Sequence, residues 1–273
     1  MKSLKFIFIF IAFSVLEVYC NEVQEVIAVP PRNYTKPRYS IKIVGGSPAR
    51  EHQFPWQASV TSCSEKSCLI CGGSLISRRY VLTAAHCTAG LSEFQIGVGS
   101  TDRNRPAFSV FSYGKIEHPQ YNPEKLFNDI AILKLPRPIR FIKGVETIKL
   151  ARNNVSYTNQ NATLSGYGKT SSSGPVSDKL NFVDMRIISN QECANEYSIV
   201  RNTTLCALGR NRSVENACQG DSGGPLVVKE RSSFVQVGIV SFVAKVGCEY
   251  GYPSGYARVS SFYKWIANNT DLN

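Results

Sequence analysis

From residue 43 onward the apolar positions fall in short runs, each cut off by glycine, proline, asparagine or serine. The runs are Trp56 to Val60, Cys71 to Ile76, Tyr80 to Ala84, Phe94 to Val98, Phe108 to Tyr113, Ile130 to Leu135, Ala162 to Gly166, Leu180 to Ile188, Pro225 to Val228 and Val235 to Phe242. Runs this short, repeated along the chain and punctuated by turn formers, predict strands and an all-β domain. The pattern by itself fits one sandwich as well as a pair of barrels. Near the end the period changes: Val259, Phe262 and Ile266 recur at helical spacing beside Trp265, with Ser260 and Ser261 near the start, so an amphipathic C-terminal helix packed on the body is expected. No internal repeat or low-complexity segment interrupts this, and Thr170 to Ser173 followed by Gly174-Pro175 reads as a surface loop.

The first residues follow a different pattern. Lys2 and Lys5 precede the apolar run Phe6 to Val15, and Val18-Tyr19-Cys20 follows it. Such a run is short of the roughly 20 apolar residues a bilayer span needs, so residues 1–20 read as a signal peptide that is removed, and the product as secreted and without a membrane anchor. Residues 21–42 hold Pro30-Pro31 and Pro37 among polar neighbours, the composition of an extended linker.

Composition adds little to the fold class but narrows the setting. The chain has 273 residues, 43% hydrophobic and 19% charged, which excludes disorder as the default state. Of its nine cysteines, eight lie beyond residue 20, an even number suited to disulfides in an oxidising compartment, although spacing alone does not fix their pairing. No Cys-x-x-Cys pair faces a second one at zinc-ligand spacing, so no metal is expected. The formal charge is +11, of which residues 1–20 carry +1 and residues 21–42 carry +2, leaving +8 on the remainder. Its cations are scattered, without a basic run or interleaved aromatics, so a solvated surface is expected in place of a nucleic-acid or polyanion site.

The chemistry concentrates late in the chain. In Gly220-Asp221-Ser222-Gly223-Gly224-Pro225 a serine sits between small, turn-forming residues. A serine hydroxyl is a weak nucleophile until a base takes its proton. Upstream, Ala84-Ala85-His86-Cys87 offers an imidazole and Asn128-Asp129-Ile130-Ala131 a carboxylate, in the order His, Asp, Ser. With Ile43-Val44-Gly45-Gly46, Cys71-Gly72-Gly73-Ser74-Leu75-Ile76 and Ser241-Phe242-Val243, these motifs make residues 43–273 resemble the chymotrypsin/trypsin-like serine proteases, in the pocket segments most like elastase- and chymotrypsin-like members.

That resemblance implies two six-stranded antiparallel β-barrels and a C-terminal helix, in a secreted serine endopeptidase that needs no cofactor and acts as a monomer on protein or peptide substrates. It implies a triad of Ser222 as nucleophile, His86 as proton shuttle and Asp129 as its orienting carboxylate, with Gly220 and Ser222 giving oxyanion amides. Ser241 and Phe242 would pair with the substrate backbone as an added strand. A cut between Lys42 and Ile43 by a trypsin-like activator would release an α-amino group to pair with Asp221, making residues 21–42 an activation propeptide. The implied disulfides are Cys71 with Cys87, Cys193 with Cys206 and Cys218 with Cys248. Cys63 and Cys68 remain, either closing a short loop or leaving one of them to pair outside the domain.

The implied specificity pocket has Asn216 at its floor, where relatives that select lysine or arginine carry aspartate. A neutral amide does not offset the burial of a cation, unless Glu215 or Glu249 reaches inward. Val243 would narrow the entrance and Ser254 would line the wall, favouring small to medium apolar residues before the scissile bond. A chymotrypsin-like preference for aromatic residues or leucine is the alternative, and a non-catalytic binding homologue a third reading. The stretch Gly97 to Tyr113, where some relatives bind calcium, holds Asp102 as its one acidic residue, so no calcium site is expected. His52 and His118 match no motif and read as surface or turn residues. Sequons begin at Asn33, Asn154, Asn161, Asn202, Asn211 and Asn268. Protein inhibitors would be natural partners.

Overall fold

The computed structural model describes residues 44–63, 68–152, 155–210 and 215–272. The expected signal peptide and linker, Lys42, Ile43 and the sequons at Asn33, Asn154 and Asn211 lie outside the described residues.

After the short β1 (Ser47–Pro48) the chain forms β2 (Gln57–Cys63), β3 (Cys68–Leu75), β4 (Tyr80–Thr83), β5 (Phe94–Val98), β6 (Phe108–Ser112), β7 (Gly114–Glu117) and β8 (Ala131–Lys134). Strands β2 to β8 make one antiparallel sheet in the order β6-β5-β2-β3-β4-β8-β7. Its two ends, β6 and β7, are separated in sequence by Tyr113 alone, so the curled sheet closes through the chain as one bent ribbon. Seven segments and six expected strands thus describe the same body. The bend is pinned by Ser112 Oγ, which donates to the Lys134 carbonyl at 2.7 Å.

The second half continues with β9 (Lys149–Leu150), β10 (Asn161–Gly166), β11 (Asn181–Ile188), the short helix α1 (Asn190–Ala194), β12 (Thr204–Gly209), β13 (Pro225–Glu230), β14 (Ser233–Phe242) and β15 (Ser254–Arg258). Six of these close a full ring in the order β11-β10-β13-β14-β15-β12 and back to β11. Strand β11 shows why: Val183, Met185 and Ile187 point inward, while Asp184 and Arg186 point outward, the period-two pattern of a half-buried strand. The all-β expectation with two barrel-like bodies holds.

Each barrel has its own apolar filling, Leu75, Phe94 and Ile132 in the first and Leu164, Met185 and Tyr256 in the second. Between them the contact is partly polar and fully buried. Ser74 Oγ donates to Gln236 Oε1 at 2.6 Å, and Ser165 Oγ to Gln57 Oε1 at 2.7 Å. Helix α2 (Val259–Asn268) returns to the first barrel and adds Val259, Phe262 and Ile266 to its core. Arg258 occupies the N-cap, so Ser260 and Ser261 fall inside the first turn. His118 is not a plain turn residue: its ring lies 5.4 Å from Phe262 and 5.2 Å from Trp265, and partial burial lowers its pKa.

Disulfides join Cys63 to Cys68, Cys71 to Cys87, Cys193 to Cys206 and Cys218 to Cys248. Each stays within its own barrel.

Candidate active site

Two strands of the first barrel deliver side chains to the seam between the barrels. Strand β4 ends in a single 3-10 turn, Ala85–Cys87, which carries His86, and Asp129 stands just before β8. The chain reaches Asp129 through Asn128 at φ 54°, a left-handed conformation that asparagine tolerates better than most residues. There Asp129 Oδ2 lies 2.7 Å from His86 Nδ1, and Oδ1 accepts from the His86 backbone N–H at 2.9 Å. A third donor comes from the second barrel. Pairing of β14 with β15 is interrupted by a bulge between Val240 and Phe242, and the Ser241 hydroxyl so placed donates to Asp129 Oδ2 at 2.6 Å. Asp129 is only 1% exposed, and these bonds compensate its burial.

The sequence assigned Ser241 to the substrate strand and missed its hydroxyl. One signal was available: a serine inside the apolar run Ile239 to Val243 must find a hydrogen-bond partner when the strand is buried.

Ser222 sits on a tight loop of the second barrel, 2% exposed, and its Oγ has no hydrogen-bond partner among the described residues. Flanking glycines make that loop feasible. Gly220 has φ 95° and Gly223 has φ 74°, and a Cβ on Gly223 would overlap Thr83 Oγ1 and the Gly72 carbonyl. Gly72 N donates to the Ser222 carbonyl at 2.7 Å and Gly223 N to the Val240 carbonyl at 2.9 Å, which locks the loop between the barrels. The N–H groups of Gly220 and Ser222 have no acceptor among the described residues. His86 also lies close to Cys71 and Cys87 in a metal-like grouping, but both sulfurs are consumed by their mutual bond.

Asp221 is fully buried. It accepts from Gly168 N at 2.8 Å and Cys218 N at 3.0 Å; burial raises its pKa to about 7 against the pull of these two amides. No ammonium faces it among the described residues. Val44 is buried in the core of the second barrel, where its carbonyl accepts from Asn216 N at 3.1 Å.

The pocket candidates converge on that barrel. Asn216, 2% exposed, donates through Nδ2 to the Tyr252 carbonyl at 2.8 Å and accepts at Oδ1 from Ala217 N at 2.9 Å. Ser254 Oγ lies 2.8 Å from Tyr256 Oη, Val243 is buried beside Ala217 and Cys218, and the Phe242 ring packs against Tyr197 at 5.2 Å. The Glu249 carboxylate accepts from Ser172 N at 3.1 Å. Asp102 is held by Lys179 and Arg105, whose hydrogen bonds lower its pKa to about 2. Sequon residues Asn161, Asn202 and Asn268 are exposed.

A His–Asp pair with a buried carboxylate, and a serine hydroxyl and two amides without partners among the described residues, at the seam of two β-barrels, define a serine endopeptidase. Comparison with known proteins agrees. The chain belongs to the trypsin family, whose model, described as Trypsin, matches residues 43–266. It is 37% identical to trypsin beta of Drosophila erecta over 241 residues, covering 85% of this chain and 90% of that protein. It is 33% identical to a collagenase of Hypoderma lineatum, covering 85% and 88% of the two chains, and 34% identical to chymotrypsin-2 of Vespa crabro, covering 83% and 99%. The solved structure of HL collagenase superposes with a TM-score of 0.78 at 32% identity, covering 85% of this chain and all of that one.

Proposed function

We propose that the chain is made as a secreted precursor, with a signal peptide over residues 1–20 and an activation propeptide over 21–42 ahead of a protease domain over 43–273, and that a trypsin-like protease activates it by cutting after Lys42. The new α-amino group of Ile43 then neutralises Asp221. A buried carboxylate without a counter-charge is costly even with two amides bonded to it, and the cut supplies the counter-charge. Signal and propeptide together contain Cys20 alone, while the eight later cysteines are mutually paired, so the cleaved segment and any glycan on Asn33 leave.

In the active enzyme Ser222 Oγ attacks the scissile carbonyl and passes its proton to His86 Nε2, while Asp129 fixes the tautomer and stabilises the imidazolium. The oxyanion is met by the N–H groups of Gly220 and Ser222, a contribution of about 2.7 to 4 kcal/mol per donor to the barrier. The proton returns from His86 to the leaving amine, and water repeats the sequence on the acyl-enzyme. The observation that carries this reading is the 2.7 Å His86–Asp129 contact, together with a buried Ser222 hydroxyl that has no hydrogen-bond partner among the described residues.

Relatives of similar identity carry the names trypsin, chymotrypsin and collagenase, so the preferred bond follows from the pocket residues and not from similarity. Both polar ends of Asn216 are engaged and neutral, which disfavours lysine and arginine, and the buried Val243 wall favours Ala, Val or Leu over aromatic rings. After activation by trypsin, peptides differing only before the scissile bond should be cut fastest after these small to medium apolar residues, and Ser222→Ala should abolish cutting. Fastest cleavage after Arg would overturn the pocket argument. Undiminished cleavage by the alanine variant would overturn the triad.

A further inference from the structure

Cations that are far apart in sequence meet at one end of the first barrel. Arg78 and Arg79 lead into β4, Lys134 ends β8, and Arg137, Arg140 and Lys143 follow it. All six are exposed. Two backbone bonds tie the segments together, Leu135 N to the Arg79 carbonyl and Ile139 N to the Arg78 carbonyl, both 2.8 Å. Pro136 and Pro138 restrict φ, and the buried Leu135 and Ile139 anchor the strand between them, so the array is rigid.

None of the six pairs with a carboxylate among the described residues. Some cations elsewhere are paired, Arg105 and Lys179 with Asp102, Arg103 with Asp178, Lys115 with Glu117 and Arg186 with Glu192. What distinguishes this face is that six unpaired cations are gathered on two adjoining segments. The nearby carboxylates are Glu146, which borders a hollow beside Lys143, and Glu51, next to a His52 ring that abuts Gly144; neither forms an ion pair with this face. Unpaired charge held on a rigid scaffold produces a local positive field that a scattered surface does not.

We propose that this face is an anion exosite for a linear sulfated polysaccharide. Four of the six cations are arginines, whose planar guanidinium takes two oxygens of a sulfate or carboxylate at once. Phe141 and Ile142, 46% and 40% exposed, stand between Arg140 and Lys143 and offer an apolar surface to the C–H faces of sugar rings. One face of Phe141 is covered by Arg78, whose guanidinium carbon lies 5.8 Å from the ring centroid, which removes it as a platform for stacked bases and disfavours nucleic acid.

Position gives the exosite its use. Strand β4 runs from the cations to His86, and β8 runs from Asp129 back to them, so the face lies at the far end of the strands that carry the catalytic pair. Four strand residues separate the two ends by about 13 Å. A polymer held there leaves the cleft open, and it concentrates the enzyme on protein substrates embedded in the same polymer.

The test uses the activated full-length enzyme on immobilised heparin with a rising salt gradient. The triple variant Arg137→Gln, Arg140→Gln, Lys143→Gln should bind heparin about tenfold more weakly or worse and elute early, since each lost contact reduces the salt-dependent term. Its hydrolysis of a short peptide should match wild type, which establishes that it is folded. The control Arg210→Gln, Lys229→Gln, Arg231→Gln removes equal charge from the other barrel and should elute as wild type. Equal losses in the two variants would reduce the effect to net charge and overturn the exosite. Retention on single-stranded DNA or anionic lipid vesicles without retention on heparin would overturn the polysaccharide.

Discussion

Asp221 illustrates how much one carboxylate can do when water is excluded. Its folded pKa of about 7 stands well above that of an unfolded aspartate, about 3.9. Between those limits the folded chain retains a proton that the unfolded chain has lost. Stability of the uncleaved chain should therefore fall as pH rises from about 4 to about 7, by an amount on the order of 4 kcal/mol, and stay low above that window. With the Ile43 ammonium of the proposed activation paired to Asp221, the fall should largely disappear. Urea unfolding of uncleaved and cleaved protein across this interval checks the prediction, and a flat profile for the uncleaved chain would contradict it. At this scale His86, Asp129 and Ser222 were legible because each sits in a short motif. The Ser241 hydroxyl was not, because its target is 112 residues away and only a bulge aims it there.

Strand and loop geometry constrain the site more tightly than its side chains do. Gly223 holds φ 74° where the loop passes between Thr83 and Gly72, and an added methyl meets backbone on one side and a hydroxyl on the other. Gly223→Ala should cost at least about 1–3 kcal/mol from backbone strain alone, and should lower kcat by displacing Ser222. Thermal unfolding together with peptide hydrolysis would show both effects; a variant unchanged in either measure would contradict the packing described here. Strands with branched or aromatic alternation, such as β11, could be read directly from the sequence. Strands β7, β12 and β15 could not: they carry Gly-Lys-Ile-Glu, Thr-Leu-Cys-Ala-Leu-Gly and Ser-Gly-Tyr-Ala-Arg, whose glycines and small residues are tolerated only because neighbouring strands and the Phe242 ring press against them.

Across the whole molecule, the cleft depends on how the barrels are held relative to each other. That seam is buried and polar, so Ser74→Ala would leave Gln236 Oε1 without its donor and should cost about 1–3 kcal/mol in denaturant unfolding. A change within about 0.5 kcal/mol, the range of an ordinary surface substitution, would mean that the seam is not held by this bond. The cationic end of the first barrel belongs to this scale too, since its members are spread from residue 78 to 143 and meet through the β4–β8 pairing and the two backbone bonds that extend it. Composition could count those charges but could not gather them.

The disulfides have a consequence for how the protein is made. Read in order of synthesis, the eight bonded cysteines pair consecutively: Cys63 to Cys68, Cys71 to Cys87, Cys193 to Cys206 and Cys218 to Cys248. Of the 105 ways to pair eight cysteines, this is the arrangement in which no loop encloses or crosses another. On the proposed secretory route, a chain entering an oxidising compartment from its N-terminus can complete the first barrel's crosslinks before any cysteine of the second has appeared, so the order of emergence favours the native connectivity.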